Sequence, residues 1–275
     1  MTISSDGLRY LELLKQTLTR FGLEDPRGEL VEVSPGRFWS VLGWPVWKML
    51  TSKRLVVAKR SAPSDLDARR LGRDWPQTAE TMIGLERLSQ LQQAIMDLEA
   101  RGVPGDIVEA GVWRGGASIF LTETLNIAGD TSRLVFVADS FEGLPPPDPR
   151  FPVDEGDSHH QIDYLRVSRA EVEENFRKFR VDLWRVNFVE GWFEDTLHGI
   201  PTKKIALLRL DGDMYSSTIQ ALDALYDRVV RGGYIVVDDY NLIGAHQAVH
   251  DFLDSRGKSA ELINIDGSGA YWVVE

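Results

Sequence analysis

Residues 106–118, DIVEAGVWRGGAS, decide the fold. An apolar run ends in Glu109-Ala-Gly111, and the small residues Gly115-Gly116-Ala117 then open a helix. Such a strand–loop–helix unit belongs to an open α/β sheet, in which ligands sit beyond the carboxyl ends of the strands. Small residues let the backbone approach a ligand and leave helix-start N–H groups pointing at it. The loop is not the Gly-x-Gly-x-x-Gly fingerprint, because Trp113 stands where that motif needs its second glycine. A Trp there obstructs a diphosphate, and an acidic Glu109 repels one. Glu109 suits a cationic ligand without phosphates, such as one with an ammonium group. A plain strand-to-helix turn, with glycines for geometry alone, is the competing reading.

The pattern continues on the C-terminal side. Short apolar runs fall at 107–112, 134–138, 187–190, 205–210, 234–237, 262–265 and 271–274. Helical stretches at 117–128, 169–179, 217–230 and 246–255 separate most of them. Strands separated by helices imply crossovers and a parallel sheet. DGSG at 266–269 is a turn signal that makes the last two runs an antiparallel hairpin. LPPPDPRFPVDEGDSHH, 144–160, is Pro-rich and acidic, and reads as a lid or long excursion.

Residues 1–105 lack clear strands. Leu8, Leu11, Leu14, Leu18 and Phe21 recur at helical spacing, with Gly22 as a stop. A second helix is expected from about Gln77 to Ala100, with Leu85, Leu88, Leu91, Ile95 and Leu98 on one face and Gly102 as its cap. Between them lies FWSVLGWPVWKMLTSKRLVVAKR, 38–60. It reads either as a docking surface for a membrane or partner, or as a packed segment or flap. The second reading is favoured, since one basic tract in an acidic protein is a weak anchor. The division is a helical extension or lid over 1–75 and a catalytic domain over 76–275.

Composition narrows the function. The 275 residues carry a net charge of −11, against a nucleic-acid partner, whose footprint is a basic face. There is no Cys, which excludes disulfides, thiolate catalysis and zinc–sulfur or iron–sulfur sites. Any metal is held by oxygen or imidazole. No apolar run reaches the roughly 20 residues of a membrane helix, and the N-terminus shows no export signal. A cytoplasmic enzyme without stable membrane insertion is expected.

Strand ends supply the candidate residues. Asp139 follows the second run, about 20 residues beyond the glycines, where an acidic side chain grips ribose hydroxyls; a helix-capping Asp is the alternative. The fourth run ends in Leu210-Asp211-Gly212-Asp213 and the fifth in Val237-Asp238-Asp239. If those strands are neighbours, four carboxylates crowd one crevice, a repulsion relieved by protonation or a cation. Hard oxygen ligands fit Mg²⁺, Mn²⁺ or Ca²⁺. Gly191-Trp192-Phe193 after the third run offers close backbone approach and a flat aromatic surface.

In order and spacing, DIVEAGVWRGGAS, VADSFEGLP, VEGWFEDTL, LRLDGDMYSST, RGGYIVVDDY and IDGSGAYW resemble the macrocin O-methyltransferase family, and TMIGLERLSQLQ from Thr81 is similar to that family's helix entering the cofactor site. The resemblance covers 81–275. It implies a class I methyltransferase, Rossmann-like, with a seven-stranded mostly parallel sheet. It further implies S-adenosylmethionine as cofactor, a divalent cation (Mg²⁺ on availability), and a glycoside acceptor from antibiotic biosynthesis methylated on a sugar hydroxyl. By motif, Met82, Glu109, Gly111, Ser118, Asp139, Ser140, Gly191, Trp192 and Asp211 fall to the cofactor. Asp211, Asp238 and Asp239 fall to the metal. Asp213 is the candidate general base and His246 its competitor. A homo-oligomer is expected by the same resemblance. A metal-dependent phosphatase using DGD and DD, and a non-catalytic adenosyl-ligand sensor, are the rival functions.

Overall fold

The computed structural model describes residues 3–23, 29–30, 58–59 and 65–275. Helix α1 (Ser5–Thr19) comes first, then a short antiparallel pair, β1 (Glu29–Leu30) with β2 (Ala58–Lys59). Next come α2 (Leu66–Arg70), α3 (Leu85–Arg101), β3 (Asp106–Ala110), α4 (Gly116–Ala128), β4 (Val135–Asp139), α5 (Arg169–Lys178) and β5 (Val186–Glu190). The chain closes with α6 (Phe193–Thr196), β6 (Ile205–Leu210), α7 (Tyr215–Leu225), β7 (Val229–Val237), α8 (Ile243–Ser255), β8 (Ile263–Asn264) and β9 (Ala270–Val273). Seven strands form one sheet in the order β5-β4-β3-β6-β7-β9-β8. The first five run parallel, and β9 is antiparallel to β7 and β8. This is the Rossmann-like arrangement with a C-terminal hairpin that the sequence implies.

Alternation along the strands builds two cores. Ile107, Val135 and Val137 face α1, α3, α4 and α5, whereas Val108, Phe136 and Ala138 face α7 and α8. Leu11, Leu14 and Leu18 of α1 belong to the first core, so this helix is packed on the sheet's helical layer.

The strand ends are in step, and this positions the site. The ladder runs one residue past each strand: Gly111 N donates to Ala138 O, Asp211 N to Ala110 O and Asp238 N to Leu210 O, each at 2.8 Å. The chain leaves β3 toward β4 and β5 on one side, while β6 and β7 lie on the other. The ligand crevice of a doubly wound sheet opens at such a switch point.

Three elements differ from the sequence expectation. The helix expected from Gln77 begins at Leu85. Gly84 caps it with extended backbone, and a Cβ there would meet Arg70 O at 2.1 Å. Residues before it run instead along the crevice, where Glu80 N donates to Leu18 O and Glu80 O accepts from Gly116 N. Helix α1 stops at Thr19, with Arg20 rather than Gly22 as its left-handed cap. Val229 and Val230, expected in a helix, begin β7, because a 3₁₀ turn at Tyr226–Arg228 ends α7 early. The Trp-rich tract 38–60 lies outside the described residues apart from 58–59. Among the described residues no helix is long and apolar enough to cross a membrane.

Gly111 has φ +90°, and a Cβ there would lie 1.7 Å from Asp211 O. Gly111→Ala is therefore expected to lose about 1–3 kcal/mol from backbone strain alone, with the steric conflict added. Urea denaturation measures it; an unchanged midpoint would contradict the close approach of the two strand ends.

Candidate active site

Two adjoining cavities open at the strand ends. Met82, Trp113, Leu165, Asp211 and Asp213 line both. The larger adds Gly111, Asp139, Ser140, Trp192 and Phe193, roofed by Gly143–Pro146, Asp148 and Arg150. The smaller adds Trp75, Thr81, Arg87, Glu109, His159, Arg209, Asp238 and Asp239.

The floor is a buried charge network. Arg209 pairs in register with Glu109 across β6 and β3, and both side chains are fully buried. Its Nη1 donates to Glu109 at 2.6 Å, and its Nη2 reaches Asp238 at 2.6 Å and Asp211 at 2.8 Å. Arg87 of α3 donates to the other oxygen of Asp238 and, at 2.9 Å, to Asp266 in the hairpin turn. Sequence reading missed both arginines. The signal was a charged residue inside the apolar run IALLRL.

Carboxylate oxygens of Asp211, Asp213 and Asp239 lie within 4.8 Å of one another. Burial pushes the Asp213 carboxyl up to about 7, and the Asp211 charge adds to that. Burial also raises Asp211 and Asp239 well above the ordinary range, only partly opposed at Asp211 by Arg209. Such a trio either holds protons near neutral pH or is relieved by a cation with hard oxygen preference. The trio differs in one member from the set Asp211, Asp238 and Asp239 expected for a metal. Asp238 spends both oxygens on Arg209 and Arg87, and Asp213, expected as a general base, lies close to Asp211 and Asp239 instead. Asp213 is turned inward by a left-handed backbone, φ 57°, which a short polar side chain tolerates.

The other expected residues divide. Met82, Gly111, Asp139, Ser140, Trp192 and Asp211 line the larger cavity. Asp139 meanwhile braces two loops, accepting from Val112 N and Phe141 N at 2.8 Å each. Burial raises its carboxyl despite those bonds. Glu109 lines the smaller cavity only and is pushed up to about 7, by burial first, against the pull of Arg209 and Ser118. Ser118 is fully buried, donates to Glu109 and lines neither cavity. Gly191 also lines neither; its N–H continues the ladder to Asp139 O at 2.9 Å. His246 is displaced altogether. It sits exposed on α8, its ring tilted against those of Tyr240 and His250 with centroids 4.8 and 4.5 Å away, outside both cavities. A helix that begins at Ile243 turns that side chain away from the crevice.

The lid expected over 144–160 is tied down at both flanks. Helix α7 lacks a cap of its own, and Asp154 supplies one, accepting from Tyr215 N at 2.8 Å and Ser216 N at 2.9 Å. Further along, Tyr164 bonds Pro76 O, and Trp113 Nε1 donates to Tyr164 O at 3.0 Å. Asp157 and His159, between these anchors, pair at 2.7 Å and place an imidazole in the smaller cavity. Nothing in the sequence around DSHH marked this pair.

Comparison with known proteins agrees with this geometry. The family model for macrocin-O-methyltransferase (TylF) matches residues 7–273. The 8-demethyl-8-(2,3-dimethoxy-alpha-L-rhamnosyl)-tetracenomycin-C 4'-O-methyltransferase of Streptomyces olivaceus is 46% identical over 218 residues, covering 76% of this chain and 80% of that one. The mycinamicin III 3''-O-methyltransferase of Micromonospora griseorubida is 41% identical over 267 residues, covering 96% and 95%. The solved structure of the O-methyltransferase NovP superposes with a TM-score of 0.79 at 35% identity, covering 98% of this chain and 99% of that chain. A match running almost end to end, with the strand-end acids meeting at one crevice, leaves one assignment: the chain is an O-methyltransferase and belongs to the macrocin O-methyltransferase family.

Proposed function

We propose that this enzyme transfers the methyl group of S-adenosylmethionine to a sugar hydroxyl of a glycosylated natural product in antibiotic biosynthesis, with a divalent cation at the acidic trio. The observation that carries the reading is the convergence of Asp211, Asp213 and Asp239 where the two cavities meet. The acceptors named for the relatives above are glycosylated antibiotics or their precursors, which supports the substrate class. Family membership removes the ground for the phosphatase and sensor readings.

The donor set fits the proposed groups. The trio offers only hard carboxylate oxygens, held close by strand register and by Arg209. Bound there, Mg²⁺ or a similar cation would supply charge stabilisation for a hydroxyl losing its proton. The larger cavity offers a carboxylate (Asp139), an aromatic surface (Trp192) and close backbone at Gly111. By the family pattern Asp139 holds the ribose, Gly191 with Trp192 flanks adenine, and Glu109 with Gly111 lines the methionine end.

The chain's own residues then do the following. Asp213, at the junction of the cavities, offers one carboxylate oxygen to the cation and with the other takes the acceptor proton. Trp113 and Leu165 wall both cavities and keep water from the donor. Bound S-adenosylmethionine would supply a methyl group for transfer from its sulfur to the acceptor oxygen, and the walls of the two cavities would supply much of the acceleration by holding the two partners together. Residues 1–75 carry the choice of sugar and scaffold in this reading.

The direct test is mass spectrometry of mycinamicin III and the tetracenomycin rhamnoside incubated with enzyme and S-adenosylmethionine, with Mg²⁺ or with EDTA. A gain of one methyl with Mg²⁺ and none with EDTA is expected; full activity in EDTA overturns the metal role. Asp213→Asn is expected to lower kcat by about 10²–10⁴ while isothermal calorimetry shows cofactor binding retained. Near-normal turnover would remove Asp213 as base.

A pH signature follows as well. Asp213 binds a proton in the metal-free folded state up to about pH 7, whereas an unfolded Asp releases it near its ordinary value. The folded state therefore holds more protons in that window, and stability falls as pH rises through it. In EDTA, the loss of melting temperature between pH 5.5 and 7.5 is expected to be larger in the wild type than in Asp213→Asn. Parallel profiles would contradict the raised carboxyl.

A further inference from the structure

We propose that the smaller cavity is the acceptor-sugar subsite, in which a pyranose ring stacks on Trp75 while His159, oriented by Asp157, accepts a hydrogen bond from one of its hydroxyls. The inference rests on the sugar methyltransferase reading and adds to it the residues that grip the sugar.

Trp75 is the first support. It is half exposed although it lines a cavity whose floor holds the acidic trio. The exposed part of the indole is available for a ligand to cover. The ring is also held in place before any ligand arrives. Tyr164 stacks on it with centroids 5.4 Å apart and planes 17° apart. Tyr164 in turn packs against Trp113 at 5.2 Å, and its hydroxyl bonds the carbonyl of Pro76, next to Trp75. A rigid aromatic face at the edge of a polar cavity suits a ring with one apolar C–H face and a rim of hydroxyls. It suits a flat anion or a simple alcohol poorly.

The Asp157–His159 pair is the second. Asp157 Oδ1 accepts from His159 N at 2.8 Å, and its Oδ2 lies 2.7 Å from His159 Nδ1. In the neutral imidazole the carboxylate places the proton on Nδ1 and leaves Nε2 as an acceptor. Among the described residues Nε2 has no partner. The imidazole lines the same cavity as Trp75 and the trio. A sugar hydroxyl is a donor of the right size for it.

The third support is connectivity. His159 lies between two anchors of the lid, Asp154 on the start of α7 and Tyr164 on Pro76. The stacking platform and the hydroxyl acceptor are thereby joined through one segment, and the subsite is assembled by lid docking rather than by the sheet.

The experiment measures steady-state kinetics with mycinamicin III and the tetracenomycin rhamnoside, using whichever the wild type methylates faster, alongside the Kd for S-adenosylmethionine. Trp75→Ala is expected to raise acceptor KM about tenfold, with kcat and cofactor Kd little changed; Trp75→Tyr keeps KM within about threefold. His159→Ala is expected to raise KM about three- to tenfold. Asp157→Asn gives a smaller rise in the same parameter, and the double variant is no worse than His159→Ala, because Asp157 acts through His159. An unchanged KM in Trp75→Ala and His159→Ala, with the wild type active on the glycoside, overturns this inference and leaves the proposed function standing. A loss of cofactor binding in parallel with the acceptor also overturns it, since that marks a structural role. Failure of the wild type to methylate either glycoside overturns both.

Discussion

Arg209 sits in the middle of a parallel sheet with no exposed surface to speak of, and three carboxylates close on it: Glu109, Asp211 and Asp238. A guanidinium in that position is tolerable only when paired, and carboxylates so close together are tolerable only when something positive lies among them. Each requirement answers the other. Arg87 adds a second cation from α3 and extends the network to Asp266 in the hairpin. The network thus joins β3, β6, β7, a helix of the N-terminal half and the C-terminal turn. Two guanidinium groups do not balance the acids gathered there, and the excess is left at Asp211, Asp213 and Asp239, on the side facing the cavities. The proposed cation would be held there as a consequence of how the floor is charged.

The roof obeys a different constraint. A long Pro-rich excursion has few backbone partners of its own, so its placement comes from contacts at a few points. Asp154 satisfies the first N–H groups of α7 and sets the lid immediately beside Asp213. Tyr164 fastens the other flank to Trp113 and to the segment before α3. Trp113 and Asp213, both lining the two cavities, also share a left-handed backbone that is rare outside glycine. Strain of this kind persists where surrounding contacts hold it, and here it aims two side chains into one junction.

Much of this was legible in the chain. Alternating apolar runs and helical stretches gave the seven-stranded order of elements, DGSG gave the hairpin, and the carboxyl-end rule selected Gly111, Asp139, Asp211 and Asp239 for attention. Local signals suffice there because strand period, turn chemistry and small residues act over a few positions. Boundaries were less legible: the helix at Leu85 starts late because Gly84 packs its backbone against Arg70, a contact remote in sequence.

What only the tertiary structure decided is who pairs with whom. The sequence by itself determined that acids would gather at the strand ends; it did not determine that Asp238 would be taken by two arginines, that Asp213 would join the trio, or that His246 would face away while His159 faced in. The physical reason is that electrostatic partnership depends on distances of a few ångströms between elements far apart in the chain. Register sets those distances to within one residue, and a single turn of helix reverses which side a histidine shows.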